Sequence, residues 1–473
     1  MTRDAKLHTG RLALFSAPCL PLSGLDLPLN AYLPAYYSEH IGVAYATVGL
    51  AFMLVSLLDM AFDPFIGGFM DRTRTRYGRF KPWLLLGAPA LALGVYLLFM
   101  AKPGASGWHL WLSLAIVYCG FSICQLSHVS WASLLSTDYD ERSRIYTWWQ
   151  GANTLGALVI VLLPVLLENA LGYGHDVGVR SMGVFIIALV PLCMCLPALM
   201  IEEPAPPLHR NDAPALKDYF QALQSSATLR TVLTALSMST ATAVTAALFF
   251  VFISHAKGLS TGDASALIFF YLVAALLGAP IWAHVATRFG KHNALIVATL
   301  AYIATQALIA LAIPGTFWAM AIGTFVAGLP GAASGILVRA MIADVADEDR
   351  LRTGIDSTGM LFGLVTAMNK MGNALAVGIA FISLDLLKFQ PEGGGTSPIA
   401  LYCLYLGLPC LIAVIGIAML WNYPLTAAKH AEIRRLLASR DRLGLDNAPI
   451  QSNAAPPNAP HVGIAGEAMS SGG

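Results

Sequence analysis

Asp59 and Asp63 lie four residues apart within a stretch, 43–67, that is otherwise apolar enough to cross a bilayer. At the pitch of an α-helix the two carboxylates share one face. A charge held at mid-membrane costs about 2.5–3.5 kcal/mol on insertion scales, so such a pair is kept where an ion or a proton is bound and released. A further charge, Lys370, falls in the middle of a second apolar stretch, 355–387. It is too deep to snorkel to the headgroups and needs an anionic partner, for which Asp59 or Asp63 is the candidate. Two carboxylates facing one ammonium can ligate sodium or share a proton, which is the chemistry of ion-coupled transport. His128, whose ordinary pKa lies near neutrality, is a candidate proton relay beside Ser127; the competing reading is a histidine that simply hydrogen-bonds between helices.

These groups need a scaffold of membrane-spanning helices, and the composition supplies one. The chain is 57% hydrophobic and 12% charged, which excludes an ordinary soluble domain. Apolar stretches of spanning length recur at 12–37, 43–67, 83–101, 108–136, 145–169, 181–201, 228–254, 262–286, 293–313, 316–343, 355–387 and 397–422, predicting an all-α membrane protein with twelve transmembrane helices. Of the 28 Lys and Arg, all but Lys102, Arg180, Lys257, Lys388 and the intraspan Arg339 and Lys370 fall on one side if the termini share a compartment. The positive-inside rule makes that side the cytoplasm, and the expected location is the cytoplasmic (inner) membrane with both termini inside. The near-zero net charge of +1, spread over many loops, gives no basis for a nucleic-acid partner. The seven cysteines sit in apolar stretches as small hydrophobes, with no disulfide or metal-ligand spacing. The polar N-terminus runs into the first span without a signal-peptide cleavage site.

The spans divide six and six. Residues 1–201 form a first half, 202–229 a Pro-rich and polar linker, 230–425 a second half, and 426–473 a tail with an amphipathic helix over 427–443 followed by a disordered segment. The loop after the second span of each half carries a matching core, Arg76-Tyr77-Gly78-Arg79 in one and Arg288-Phe289-Gly290-Lys291 in the other, so the halves are diverged repeats. The first span contains Pro18, Pro21, Pro28 and Pro34 together with Ser23, Asp26 and Asn30. That composition fits a kinked helix lining a cavity, or a kinked packing helix without a ligand.

The run DPFIGGFMDRTRTRYGRFKPW, from Asp63 to Trp83, sets a carboxylate, a glycine-rich helix end and a basic loop in order. With YLPAYYSEHIG, STDYDERSR and IADVADEDR, it resembles the glycoside-pentoside-hexuronide:cation symporter family of the major facilitator superfamily, the melibiose permease-like carriers, over most of residues 10–425. The resemblance implies two six-helix pseudo-repeat halves that rock about a central site. It matches Asp59 and Asp63 to the family's cation-site carboxylates and Lys370 to its eleventh-helix lysine, with Thr366 one turn earlier. It also assigns Asp71, Arg72, Arg76, Arg79 and Asp344 to gating, where positive-inside anchoring is the alternative for the basic residues. Arg339, near the end of its span, reads as snorkelling within reach of Asp344.

The chain departs from the sodium-coupled pattern at three places. Phe62 stands where the family has an asparagine, Cys124 where it has a threonine, and Ser127 where it has an aspartate. A site reduced to Asp59, Asp63 and Ser127 offers a hard cation few oxygens and favours H+ over Na+. The implied sugar site is also altered, with Ser23 and Ala152 replacing the family's aspartate and arginine. Trp131 aligns with a sugar-stacking tryptophan, and Asp26, Asn30, Trp149, Gln150 and Asn153 offer donors and acceptors for hydroxyls. The expectation is a cation-coupled symporter importing a sugar, glycoside or related small polar solute, with no cofactor beyond the coupling ion, and monomeric because nothing in the spans demands a partner chain. A carrier of lipid-like solutes with the same fold is the alternative. An intramembrane hydrolase built on Ser127 or Ser130 and His128 lacks a strained nucleophile turn, and a sensor that has lost transport is the remaining reading.

Overall fold

A computed structural model describes residues 8–135, 139–203, 216–311, 316–354, 357–389 and 398–442. Twelve helices among them are long and apolar enough to span a membrane. The first half holds α1 (Thr9–Ile41), α2 (Tyr45–Met70), α3 (Lys81–Phe99), α4 (Gly107–Ala132), α5 (Thr147–Ala170) and α6 (His175–Met200). The second holds α7 (Ser226–Ala256), α8 (Thr261–Phe289), α9 (Lys291–Ala310), α10 (Phe317–Thr353), α11 (Thr358–Leu386) and α12 (Ile399–Leu420). Linker residues 204–215, motif residues 136–138 and the segment after Arg442 lie outside the described residues.

Two boundaries differ from the sequence reading for identifiable reasons. The acidic run Asp344–Asp349, beyond the span read as 316–343, is the last part of α10, which runs on to a left-handed cap at Gly354. Polar pairing carries the helix beyond its apolar part: Arg352 bridges Asp349 at 2.8 Å, Lys429 bridges Glu348 at 2.8 Å, and His430 reaches Asp347 at 2.9 Å. The tail helix Ala427–Arg442 docks on the end of α10 through these pairs. Ile433 and Leu437 are buried there, and each such side chain contributes about 1.5–3 kcal/mol. α1 is continuous but irregular, with π-helical turns at Pro28–Tyr32 and Tyr37–Ile41, as a helix deprived of proline N–H donors requires.

The two halves meet at the end remote from the termini. Tyr32 packs on Phe250 at 4.4 Å, Tyr45 on Phe381 at 5.8 Å, Thr261 donates to Glu168 at 3.2 Å, and Asn169 donates to the Gly262 carbonyl at 3.2 Å. The main apolar cluster runs through these contacts from one half into the other, whereas a second cluster at the terminal end, including Trp282, Leu337 and Ile342, belongs to the second half. The pair α2 and α11 shows the shape most clearly. Near the sealed end a Cβ on Gly49 would stand 3.3 Å from the Gly378 carbonyl, and one on Gly378 would stand 2.4 Å from the Met53 sulfur. Towards the terminal end of the same two helices, Gly67, Gly68, Gly359 and Gly363 face open space. The helices diverge like opened scissors, and the space between the halves widens towards the termini.

Candidate functional site

The acids sit where the scissors begin to open. Asp59 and Asp63 occupy one face of α2, while Phe62, Phe65 and Phe69 are 57%, 66% and 62% exposed on another, where lipid would lie. Lys370 of α11 crosses the gap: its Nζ donates to Asp63 Oδ2 and stands 3.6 Å from Asp59 Oδ2. Ser122 Oγ of α4 donates to Asp59 Oδ2 at 2.9 Å. Asp63 Oδ1 is buried without a hydrogen-bond partner. The arrangement joins both halves of the protein through three charged groups, and it leaves one buried carboxylate oxygen able to accept a proton or a cation.

Asp26 extends the site. It is exposed although it lies midway along α1. Asn30 holds it by donating to its carbonyl at 2.8 Å and its carboxylate at 3.3 Å. On α5, Gln150 is exposed about 200° around the helix from Trp148, whose neighbours in the series, Leu155 and Leu162, form the lipid stripe. Gln150 therefore faces inward. Asn153 donates to the Trp149 carbonyl at 3.0 Å, and the Trp149 indole N–H is buried without a partner.

Five residues expected at the site are placed elsewhere by the geometry. Ser127 is buried and donates to the Cys124 carbonyl at 3.0 Å, because five residues along α4 turn it about 140° from Ser122, which takes the place beside Asp59. His128 is likewise set apart from the acids: its Nε2 engages the Phe15 carbonyl at 2.8 Å, and its Nδ1 lies 3.9 Å from the Cys19 sulfur. With both ring nitrogens occupied it forms neither a relay to the acids nor a Ser–His dyad. Trp131 is fully buried, with Phe15 edge-on at 5.2 Å and Lys81 Nζ at 5.5 Å, so no indole face is open to a sugar. Ser23 packs against Gly156 between α1 and α5 and bonds weakly to the Leu20 carbonyl at 3.4 Å. Thr366 is exposed towards the open end and bonds back to the Phe362 carbonyl at 2.9 Å, without reaching the acids.

Of the residues expected to gate, Arg76, Arg79 and Asp344 make contacts within their own halves. Arg76 donates to the Tyr77 hydroxyl, Arg79 Nε to the Met70 carbonyl at 3.3 Å, and Arg72 is exposed; the Asp71 side chain lies outside the described residues. Gly78 has a φ of 115°, and a Cβ there would collide with Glu203, whose carboxylate accepts the backbone N–H groups of Arg79, Phe80 and Lys81. A carboxylate over the first turn of α3 is favourable against the helix dipole. The matching glycine of the second half, Gly290, also has a positive φ, 84°. Asp344 pairs with Lys291 and with His430 at 3.3 Å, and not with Arg339.

Sequence reasoning missed Ser122 and a polar cavity in the second half. The cavity, about 210 Å³, is lined by Ser239 and Thr242 of α7, Ser334 and Arg339 of α10, and Asn369 and Asn373 of α11. The signal was present as two amides four residues apart flanking Lys370 in the run NKMGN.

Twelve candidate membrane-spanning helices among the described residues, with a charged cluster joining the first six to the last six, fit the family match of an integral multi-pass secondary transporter of the major facilitator superfamily. Residues 14–427 match the family described as MFS/sugar transport protein, and the chain belongs to it, in the branch that resembles glycoside-pentoside-hexuronide symporters. A sodium-dependent lysophosphatidylcholine symporter 1-B from Danio rerio is 23% identical, over 92% of this chain and 92% of that protein. A glucuronide carrier protein homolog from Escherichia coli is 24% identical, over 85% of this chain and 89% of that protein. Among solved structures, a mutant of the nucleoside transporter NupG superimposes with a TM-score of 0.67 at 14% identity, covering 86% of this chain and 98% of that one, which shows the fold.

Proposed function

We propose that the protein is a cation-coupled symporter, driven by protons, that imports a small polar solute of the sugar or glycoside class by alternating access. The observation that carries this reading is the bridge from Lys370 to Asp63 and Asp59 across the two halves, with a buried carboxylate oxygen unpaired beside it. Together the three groups carry a net charge of −1, so one bound cation neutralises the cluster. That loading weakens the hold on Lys370 and lets the halves pivot, because a ligand shifts a conformational equilibrium only through its different affinity for the two states. The charge distribution supports placing both termini in the cytoplasm of the cytoplasmic membrane, which makes the described conformation inward-facing.

The oxygens around Asp59 and Asp63 are few for sodium, which supports the proton as coupling ion. The name of the Escherichia coli relative supports a sugar-derived solute, and that of the Danio rerio relative keeps a lipid-like solute as the second reading. Uptake of labelled sugars, glucuronides and lysophospholipids into proteoliposomes under an imposed pH gradient, and separately a sodium gradient, tests all three points. Concentrative sugar or glucuronide uptake driven by the pH gradient is expected; uptake of lysophospholipid alone, or uptake insensitive to both gradients, would remove the proposal.

A further inference from the structure

We propose that Arg339 is the anion-binding group of the solute site, and that the transported solute carries a carboxylate or a phosphate; this rests on the reading that a solute enters the space between the halves. Arg339 is exposed, and it lines the polar cavity between α7, α10 and α11. The acid that its position in the sequence suggests, Asp344, is already engaged by Lys291 and His430. Among the described residues no carboxylate pairs with Arg339, and the amides of Asn369 and Asn373 have no protein hydrogen-bond partner, so the cavity combines an uncompensated guanidinium with free donors and acceptors. A guanidinium inside a span is retained where it meets an anion, and its planar fork matches a carboxylate or a phosphate bidentately.

The dimensions and connections of the cavity fit that role. About 210 Å³ is below the roughly 300–1,000 Å³ of a whole small-molecule site, so it suits a charged head with its neighbouring hydroxyls while the rest of the solute lies in the central space. Gly335, one turn before Arg339, faces open space, which leaves the mouth accessible. Asn369 is adjacent in sequence to Lys370, so one turn of α11 presents an amide to the cavity and the ammonium to the coupling acids. Solute bound at Arg339 and a cation bound at Asp59 and Asp63 would thereby act on the same helix.

The test is binding of matched probes to the full-length protein in detergent, without any gradient: 4-nitrophenyl glucuronide against 4-nitrophenyl glucoside, and glucose 6-phosphate against glucose. At least one anionic probe is expected to bind about tenfold or more tighter than its neutral counterpart, the scale of a charge-assisted hydrogen bond. Arg339→Gln should abolish that difference and Arg339→Lys should retain part of it, with melting temperatures confirming that both variants fold. Should Arg339→Gln not fold, Arg339→Met takes its place, and the same loss of preference is expected. Equal or absent binding across both pairs, or a preference that survives removal of the guanidinium, would overturn the inference. The symport reading fails separately: a wild-type protein that prefers the anion but shows no gradient-driven accumulation keeps Arg339 as the anion site and loses coupling. One that accumulates neutral and anionic glycosides alike does the reverse.

Discussion

Replacing Asp59 by Asn changes the charge of the coupling cluster while leaving its size and its hydrogen bond from Ser122 almost intact. In the wild type two carboxylates face one ammonium, and a single proton takes the cluster from −1 to neutral. The attraction that this proton removes is considerable: at 3.6 Å between Lys370 Nζ and Asp59 Oδ2, an effective dielectric near 20 gives about 4–5 kcal/mol. Even if solvation of the ammonium returned two-thirds of that, about 1.4 kcal/mol would remain, a tenfold change in a conformational equilibrium. With Asn at position 59 the cluster is neutral from the start, paired only through Asp63 and Lys370, and the halves rock without a proton. Proteoliposomes under a pH gradient provide the assay. One proton per solute limits wild-type accumulation to about tenfold for each pH unit, since each unit is about 1.36 kcal/mol. Asp59→Asn should bring the accumulation ratio to one while preserving exchange of labelled for unlabelled solute. An unaltered ratio would refute the assignment of Asp59 as the coupling group, and loss of exchange together with accumulation would refute the charge argument.

Other parts of the structure yield further expectations. Gly378→Leu forces a side chain into Met53 where α2 and α11 close, an overpacking of about 1–3 kcal/mol that should open the sealed end. A cysteine placed at Thr261 should then be labelled from outside several-fold faster than in the parent, and unchanged labelling would show that this glycine contact does not hold the gate. His128→Phe keeps the ring beside Phe15 but leaves the Phe15 carbonyl without a donor, at a cost of about 1–3 kcal/mol. The variant should melt at a lower temperature and still accumulate solute to the wild-type ratio; a normal melting temperature with lost accumulation would restore the relay.

Much of this site is legible along the chain because the membrane makes charge expensive. Asp59, Asp63 and Lys370 stand out from their apolar surroundings, and the need of each for a partner narrows the pairing before any coordinates are considered. Span number and the break between halves follow from the same contrast between hydrocarbon and water. The motif Arg76-Tyr77-Gly78-Arg79 likewise announces a turn that Gly78 and Glu203 then build.

What the chain by itself could not determine is the direction in which a polar side chain points once its helix is packed. Ser122, Ser127, His128 and Trp131 all lie on α4, and residue type favours the last three as functional groups. Rotation of the helix against α1 and α2 sends Ser122 to Asp59, turns Ser127 back to the Cys124 carbonyl and buries His128 and Trp131 beside Phe15. Arg339 shows the converse, reading as a surface anchor in sequence until α7, α10 and α11 place it on the wall of a polar cavity and Lys291 claims the acid that would have neutralised it. Burial energy is set locally by composition and is visible in one dimension, whereas the meeting of two polar groups depends on the relative rotation and tilt of separate helices, which only packing in three dimensions specifies.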